Sequence, residues 1–161
     1  MKKYVLMMFF AALGLTGCKT PTVISKNYAY NNFGIECMGS DLDGSQTMRS
    51  WGKGKNKKQA IEQARKNAVY SVLFKGVHEG TGECNKRPVL AGANAYEKNE
   101  EFFNKFFADD GDFKQFTSLQ DEKTYSRMKS SDSSIENWGI VVRVDRAGLR
   151  KFMIDRGILK Q

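Results

Sequence analysis

Residues 51–58 read WGKGKNKK and place glycines and lysines directly ahead of an alanine-rich helical pattern. A glycine-rich turn that leads into a helix can hold a phosphate group on its backbone N–H groups. A P-loop requires the pattern G-x-x-x-x-G-K-[ST], whereas these glycines lie two positions apart and Gln59 follows the lysines. The third glycine of a dinucleotide-binding fingerprint is also absent. The stretch is therefore either a basic turn that starts a helix or an anion site with four candidate ligands, Lys53, Lys55, Lys57 and Lys58.

Two of these lysines, Lys57 and Lys58, fall in the first turn of the predicted helix. The positive end of the helix dipole disfavours a cation there unless an anion is close by, so a lipid headgroup phosphate is one candidate ligand. Nucleic acid is not an expected partner, because basic and aromatic residues do not interleave along a predicted strand.

Other residue groups that could do chemistry are less specific. His78 and Glu79 could form an acid–base pair, but no nucleophile or second carboxylate is spaced to complete a catalytic set. Residues 41–44, DLDG, have two aspartates of a calcium loop without its remaining ligands, and DG is typical of a hairpin turn. Residues 109–112, DDGD, are typical of a solvated turn after a helix. The sequence predicts no catalytic residue and no metal site.

The N-terminus carries a targeting signal. Lys2 and Lys3 precede an apolar run over residues 4–15, which is too short for a permanent membrane-spanning helix. The run ends in Leu15-Thr16-Gly17-Cys18, which closely resembles the lipobox of bacterial lipoproteins. The resemblance implies that residues 1–17 are a cleaved signal peptide. It also implies that Cys18 carries a diacylglycerol and an N-acyl chain. No cofactor is predicted apart from these lipid groups. The alternative is an ordinary buried cysteine in an N-terminal anchor helix.

The same resemblance predicts a location. Lys19, which follows the lipidated cysteine, favours the outer membrane, and the lack of an acidic cluster after Cys18 favours its periplasmic side. Removal of Lys2 and Lys3 leaves 24 basic and 18 acidic residues, so the mature charge is +6. A basic domain in the cell envelope is more apt to meet anionic lipid, lipopolysaccharide or cell-wall polymer than nucleic acid.

If Cys18 is lipidated, Cys37 and Cys84 are the remaining cysteines. In an oxidising compartment they form either one disulfide or two separate thiols, one buried and one in a loop, and the sequence leaves both possibilities open. Together with the lone His78 they do not make a set of metal ligands.

The elements that must position these residues form one domain. Residues 18–32 are predicted to be the tether between lipid and domain, and residues 33–161 to be a single α+β domain. Alternating apolar residues predict strands over 33–37 and 47–51, joined by a turn at Asp43-Gly44. Asn56 is the expected N-cap of a helix over 57–75, with Gln59 at the N3 position of a capping box and Gly76 at its end.

The rest of the chain adds two helices and two strands. Residues 77–95 are rich in turn formers and predict a long loop, followed by a helix over 97–108 with core-facing phenylalanines. Residues 113–129 predict one strand or two pieces of one, and 138–144, WGIVVRV, a further strand. Asp145 is the expected cap of a last helix. The order β-β-α-α-β-β-α predicts an antiparallel sheet of about four strands with helices on one face.

Residues 49–74 and 138–159 resemble the small α+β domains of certain envelope lipoproteins. These include accessory proteins of flagellar and other outer-membrane assemblies. The shared features are glycines before an alanine-striped helix and the late WGIVVRV strand, while the long central segment departs from the simplest form of the domain. The resemblance implies a non-catalytic interaction or assembly module that contacts an envelope protein. The alternatives are a binder of anionic lipid or cell-wall polymer and a hydrolase that uses residues 77–112.

Overall fold

The computed structural model of the chain describes residues 34–120, 126–128 and 134–160, with 126–128 described by their backbone. The predicted signal peptide, the lipobox with Cys18 and the tether lie outside these residues. The strands are β1 (Glu36–Ser40), β2 (Gln46–Gly54), β3 (Glu79–Gly80), β4 (Thr117–Leu119), β5 (Ser126–Met128) and β6 (Glu136–Val144). The α-helices are α1 (Lys57–Tyr70), α2 (Glu100–Phe106) and α3 (Arg146–Asp155). Helix α1 continues into a π-helical turn at Ser71–Lys75, and 3-10 turns occur at Glu97–Asn99 and Asp112–Phe116.

The strands form one mixed sheet, and the α+β class predicted from the sequence is confirmed. Across the described residues the strand order is β3-β1-β2-β6-β4. Strand β5 pairs with the same edge of β6 as β4 does, but with the residues nearer the start of β6. The longest pairing is antiparallel, between β2 and β6, and runs from Gln46↔Val144 to Gly54↔Glu136. The central strands are thus joined by contacts far apart in sequence.

The predicted antiparallel sheet of about four strands is wrong in strand count and order. Residues 77–95 contain β3, which pairs parallel to β1 and makes the sheet mixed. A two-residue strand is too short to show a period of two, so its sequence reads as a loop. The segment 113–129 is not one strand: it begins with a 3-10 turn, and β4 and β5 pair with β6 in registers that do not continue each other.

The predicted start of α1 is confirmed. The Asn56 side chain accepts a hydrogen bond from the Gln59 N–H (3.0 Å), and the Gln59 side chain accepts one from the Lys55 N–H (3.1 Å). Each bond satisfies a backbone donor near the helix start. The α-helix ends at Tyr70, and Gly76, which follows the π-helical turn, has φ +77°, a left-handed conformation that favours glycine.

The core lies between one face of the sheet and the helices. Three alanines on one stripe of α1, Ala60, Ala64 and Ala68, are fully buried. The small side chains let the helix lie close to β2 and β6. Aromatic residues fill the space beside α1, and the phenylalanines predicted to face the core do so: Phe103, Phe106 and Phe107 are buried, and Phe102 packs against the core from the side.

Helix α3 starts where the sequence predicts. The Asp145 side chain accepts a hydrogen bond from the Gly148 N–H at 2.7 Å, which is an N-cap. The helix buries Leu149 and Met153 against the core, and the chain turns after it at Gly157, which has φ +71°. The helix is therefore fixed at its start by a cap and along its length by two apolar side chains.

Candidate functional site

The glycines of the WGKG stretch bring helix α1 onto the sheet. A Cβ atom on Gly52 would overlap the Ala60 carbonyl oxygen and the Ala64 amide nitrogen, both backbone atoms of α1. A Cβ on Gly54 would lie 2.5 Å from the Ala60 nitrogen. A glycine inside a strand often marks such a close approach of another backbone. Packing therefore accounts for the G-x-G spacing without a bound phosphate.

Three backbone donors of this turn are also in use. The Lys55 N–H and the Gln59 N–H bond to side chains of the turn itself, and the Ala60 N–H donates to the Asn56 carbonyl at 3.0 Å. A phosphate loop instead directs such N–H groups at its ligand. The interpretation as a basic turn that starts a helix is thus the better description of the backbone.

The four candidate lysines lie together at this end of the sheet, and all four side chains are exposed. Lys57 extends over the indole ring of Trp138, with its Nζ 4.6 Å from the ring centroid. The Trp138 Nε1 in turn donates to the Glu136 carboxylate at 2.6 Å. Strand β6 thus supplies an aromatic ring beneath one lysine. Because Lys57 and Trp138 are far apart in the sequence, this contact was not predicted from it. We call Lys53, Lys55, Lys57 and Lys58 the lysine turn.

The other end of β2 carries a short hairpin turn, residues 41–45, which we call the hairpin tip. Within it the Asp41 N–H donates to the Ser45 carbonyl, and the Gly44 N–H donates to the Asp41 carbonyl, both at 2.9 Å. Gly44 has φ +80°, as the predicted DG turn requires. Leu42 is fully exposed at the apex. It and Met38 on β1 are the large hydrophobic side chains left exposed in the part of the chain that the structure describes.

Arg143 on β6 braces the hairpin tip. Its Nε donates to the Asp41 carboxylate at 2.6 Å, and a terminal nitrogen donates to the Asp43 carboxylate at 2.7 Å. The Ser45 N–H also donates to Asp43, at 2.9 Å. That bond, with Arg143, lowers the pKa of Asp43, and the two carboxylates raise the pKa of Arg143. Asp41 and Asp43, the two aspartates of the DLDG sequence, therefore bind the guanidinium group of Arg143.

The structure joins Cys37 and Cys84 in a disulfide, one of the two possibilities left open by the sequence. The sulfur atoms are 2.03 Å apart and the Cα atoms 5.8 Å apart. The bond holds the 77–95 segment against β1, where the Gly82 N–H donates to the Cys37 carbonyl and the Ser40 hydroxyl donates to the Glu83 carbonyl. The segment predicted as a long loop is therefore fixed to the sheet edge.

The residues of the hydrolase alternative do not converge. His78 Nε2 lies 3.1 Å from the Lys75 carbonyl oxygen, and Glu79 is exposed on β3. An open cavity of about 310 Å³ lies at the other end of the 77–112 segment, and neither His78 nor Glu79 lines it. Its walls are Phe102, Lys105, Phe106, Asp110, Gly111, Asp112 and Arg156. Across residues 34–120 and 134–160, no three His, Cys, Asp or Glu side chains are grouped as metal ligands.

Neither the protein-family models, nor the curated proteins, nor the solved structures gave a match to the chain. None of the helices in the described parts of the chain has the length and apolar character needed to cross a membrane.

Proposed function

We propose that this chain is a lipid-anchored envelope lipoprotein that acts as a non-catalytic interaction or assembly module. Cys18 would carry the acyl chains, and the domain would face the periplasm from the outer membrane. The proposal combines the Leu15-Thr16-Gly17-Cys18 sequence with the form of the hairpin tip. Two or three acyl chains hold a domain at a membrane far more firmly than one.

The hairpin tip is the observation that carries the proposal. It places the fully exposed Leu42 at an apex whose flanking carboxylates are both held by Arg143. A single exposed leucine is ordinary on a protein surface. A side chain on an ordered turn loses less conformational entropy when it binds a partner than one on a mobile turn, so it binds more tightly. The tip is therefore suited to insert Leu42 into an apolar pocket on an envelope protein.

The disulfide fits the same location. Cys37 and Cys84 are bonded across the edge of the sheet, and such bonds persist in the oxidising bacterial periplasm rather than in the cytosol. The bond also fixes the 77–95 segment next to β1, the strand that leads into the hairpin tip. The tip would thus be presented by a stiff support.

Lipidation is tested by metabolic labelling with a radioactive fatty acid. The wild-type chain should incorporate the label and lose residues 1–17, whereas the Cys18→Ala variant should accumulate as an unlabelled precursor. A wild-type chain that takes up no label would refute the lipid-anchor part of the proposal.

Contact through the tip is tested with a photoreactive amino acid placed at position 42 in living cells. We expect a discrete crosslinked protein from position 42 and none from position 151, an exposed site on α3. Adding Arg143→Gln to the chain with the probe at position 42 should reduce the adduct several-fold, because the tip loses its brace. If position 42 gives no adduct, or position 151 gives the same one, the tip is not the contact surface.

The lysine turn supports a second candidate function, binding of an anionic lipid or a cell-wall polymer. Its supporting observation is the grouping of four exposed ammonium groups at one end of the sheet. Sedimentation with purified cell wall tests the polymer form of this candidate. Binding that disappears when the four lysines are changed to glutamine would support it, and unchanged binding would count against it.

A further inference from the structure

Strand register fixes which end of the sheet receives the chain from its anchor. Strands β1 and β2 are antiparallel, with Glu36 opposite Arg49. Going back along β1 from Glu36 therefore corresponds to going forward along β2 from Arg49 towards Gly54. Gly34, the first described residue, lies on the side of the sheet where β2 ends and the lysine turn begins.

The length of chain before Gly34 keeps that end near the anchor. Cys18 precedes Gly34 by 34 − 18 = 16 residues. A flexible chain of this length has an end-to-end distance of about 20–25 Å, and a fully extended one reaches about 55 Å at most. An acylated Cys18 would thus hold the lysine turn close to the headgroup layer.

The charges at this end favour an anionic surface. The lysine turn contributes four ammonium groups within six positions of the chain. The acidic side chains nearby do not balance these four charges: Glu36 pairs with Arg49 at 3.4 Å, and Glu136, which accepts a hydrogen bond from the neutral indole of Trp138, adds one negative charge. Glu79 lies next to Gly34, on the β1–β3 side of the sheet rather than at the start of α1. The surface that adjoins α1 is therefore predominantly positive.

We propose that the lysine turn rests on anionic phospholipid headgroups of the bilayer that holds the anchor, and so orients the domain. The inference depends on the lipid anchor of the proposed function. Residues 46–52 of β2 separate the hairpin tip from Lys53, the first residue of the lysine turn, and span about 25 Å at the usual rise of a strand. Contact of the lysine turn with the bilayer directs Leu42 away from the membrane, towards a partner.

The test uses the acylated full-length product in nanodiscs of phosphatidylcholine, with or without phosphatidylglycerol. Amide hydrogen exchange is followed at residues 53–58 and, for comparison, at residues 41–45. We expect exchange at 53–58 to slow several-fold when phosphatidylglycerol is present, and the effect to disappear at high salt because the contact is electrostatic. Exchange at 41–45 should not respond to lipid composition.

A matched pair of variants separates local contact from net charge. Lys55→Glu with Lys58→Glu should abolish the slowing at the lysine turn. Lys98→Glu with Lys151→Glu changes the net charge equally at exposed sites of other elements and should preserve it. Both pairs leave Lys57 on Trp138 and keep the core unchanged.

Three results would overturn the orientation. The first is equal hydrogen exchange at residues 53–58 in nanodiscs with and without phosphatidylglycerol. The second is that both charge-reversal pairs abolish the slowing of exchange to the same extent. The third is that exchange at 53–58 slows only after cell-wall polymer is added. Mass spectrometry of Cys18 distinguishes this failure from failure of the proposed function. An acylated chain whose lysine turn is unprotected refutes only the orientation, whereas a chain without acyl groups refutes both.

Discussion

Replacement of Gly52 by alanine tests the explanation of the G-x-G spacing. Gly52 lies on β2 opposite Trp138, under the first two turns of α1. The added methyl group would overlap the Ala60 carbonyl oxygen and the Ala64 nitrogen, and would lie 2.9 Å from the Gln63 carbonyl carbon. Because these are backbone atoms, no side chain can rotate to make room, and α1 has to move away from the sheet.

The expected loss of stability is large. Overpacking a well-filled core costs about 1–3 kcal/mol and occasionally more, and a backbone obstacle favours the upper end of that range. Movement of α1 also loosens the contacts of three fully buried alanines. A loss of about 3 kcal/mol is a substantial part of the roughly 5–15 kcal/mol that stabilises a typical domain.

Urea unfolding with the disulfide intact measures the effect. At a slope of about 1–3 kcal/mol per molar urea, the midpoint of Gly52→Ala should fall by about 1–3 M. Gly39→Ala is the matched control, since Gly39 also lies on a strand but has open space where its Cβ would be. It should keep or slightly raise the midpoint. If Gly52→Ala unfolds at the wild-type midpoint, the close-approach explanation is wrong and an anion-binding role for the glycine regains support.

Two further predictions concern the disulfide and a buried lysine. Replacing Cys37 and Cys84 by serine removes a cross-link between residues 47 apart and should lower stability by about 4 kcal/mol, measured as a urea midpoint; an unchanged midpoint would contradict this. Asp109→Asn should cost about 1–2 kcal/mol, because it weakens the 2.7 Å bond to buried Lys66, although water around the exposed aspartate moderates the loss. Lys66→Met should cost less. The bond to Lys66 lowers the pKa of Asp109. The stability that the bond contributes is therefore complete above the ordinary aspartate pKa and is lost as the pH falls from there through the lowered pKa. Thermal unfolding at a series of acidic pH values measures this loss. The free energies of unfolding of wild type and Asp109→Asn should therefore become equal in acid. A difference that stays constant with pH would show that the Lys66–Asp109 bond is not its cause.

Local signals in the sequence were enough to predict the starts of α1 and α3, whereas the helix predicted over 97–108 is α-helical only at Glu100–Phe106, after a 3-10 turn at Glu97–Asn99. Asn56 and Asp145 both accept a hydrogen bond from a backbone N–H three residues later, and α1 and α3 begin directly after them. Capping depends on atoms within one turn of the chain, so the residue types alone predict it. The same holds for the hairpin turn at Gly44.

The sheet order and the brace of the hairpin tip could not be predicted in this way. Arg143 reaches Asp41 and Asp43 across separations of 102 and 100 residues. That contact exists only because β6 pairs with β2, and a single sequence does not specify which distant strands pair. Arg143 belongs to the WGIVVRV strand that the sequence predicts. The carboxylates that Arg143 contacts, those of Asp41 and Asp43, can be identified only from the register between β2 and β6.

The lysine turn is left partly unexplained by packing, and Lys58 provides the sharpest test of why it is there. Lys58 is exposed in the first turn of α1, where the helix dipole disfavours a cation and favours a carboxylate. Lys58→Glu should therefore stabilise the domain by about 0.3–1 kcal/mol at low ionic strength. It should at the same time weaken the contact with phosphatidylglycerol nanodiscs. A residue that lowers stability while increasing binding is retained for its ligand. If Lys58→Glu changes neither the urea midpoint nor the exchange of residues 53–58, the lysine is only a solvated surface charge.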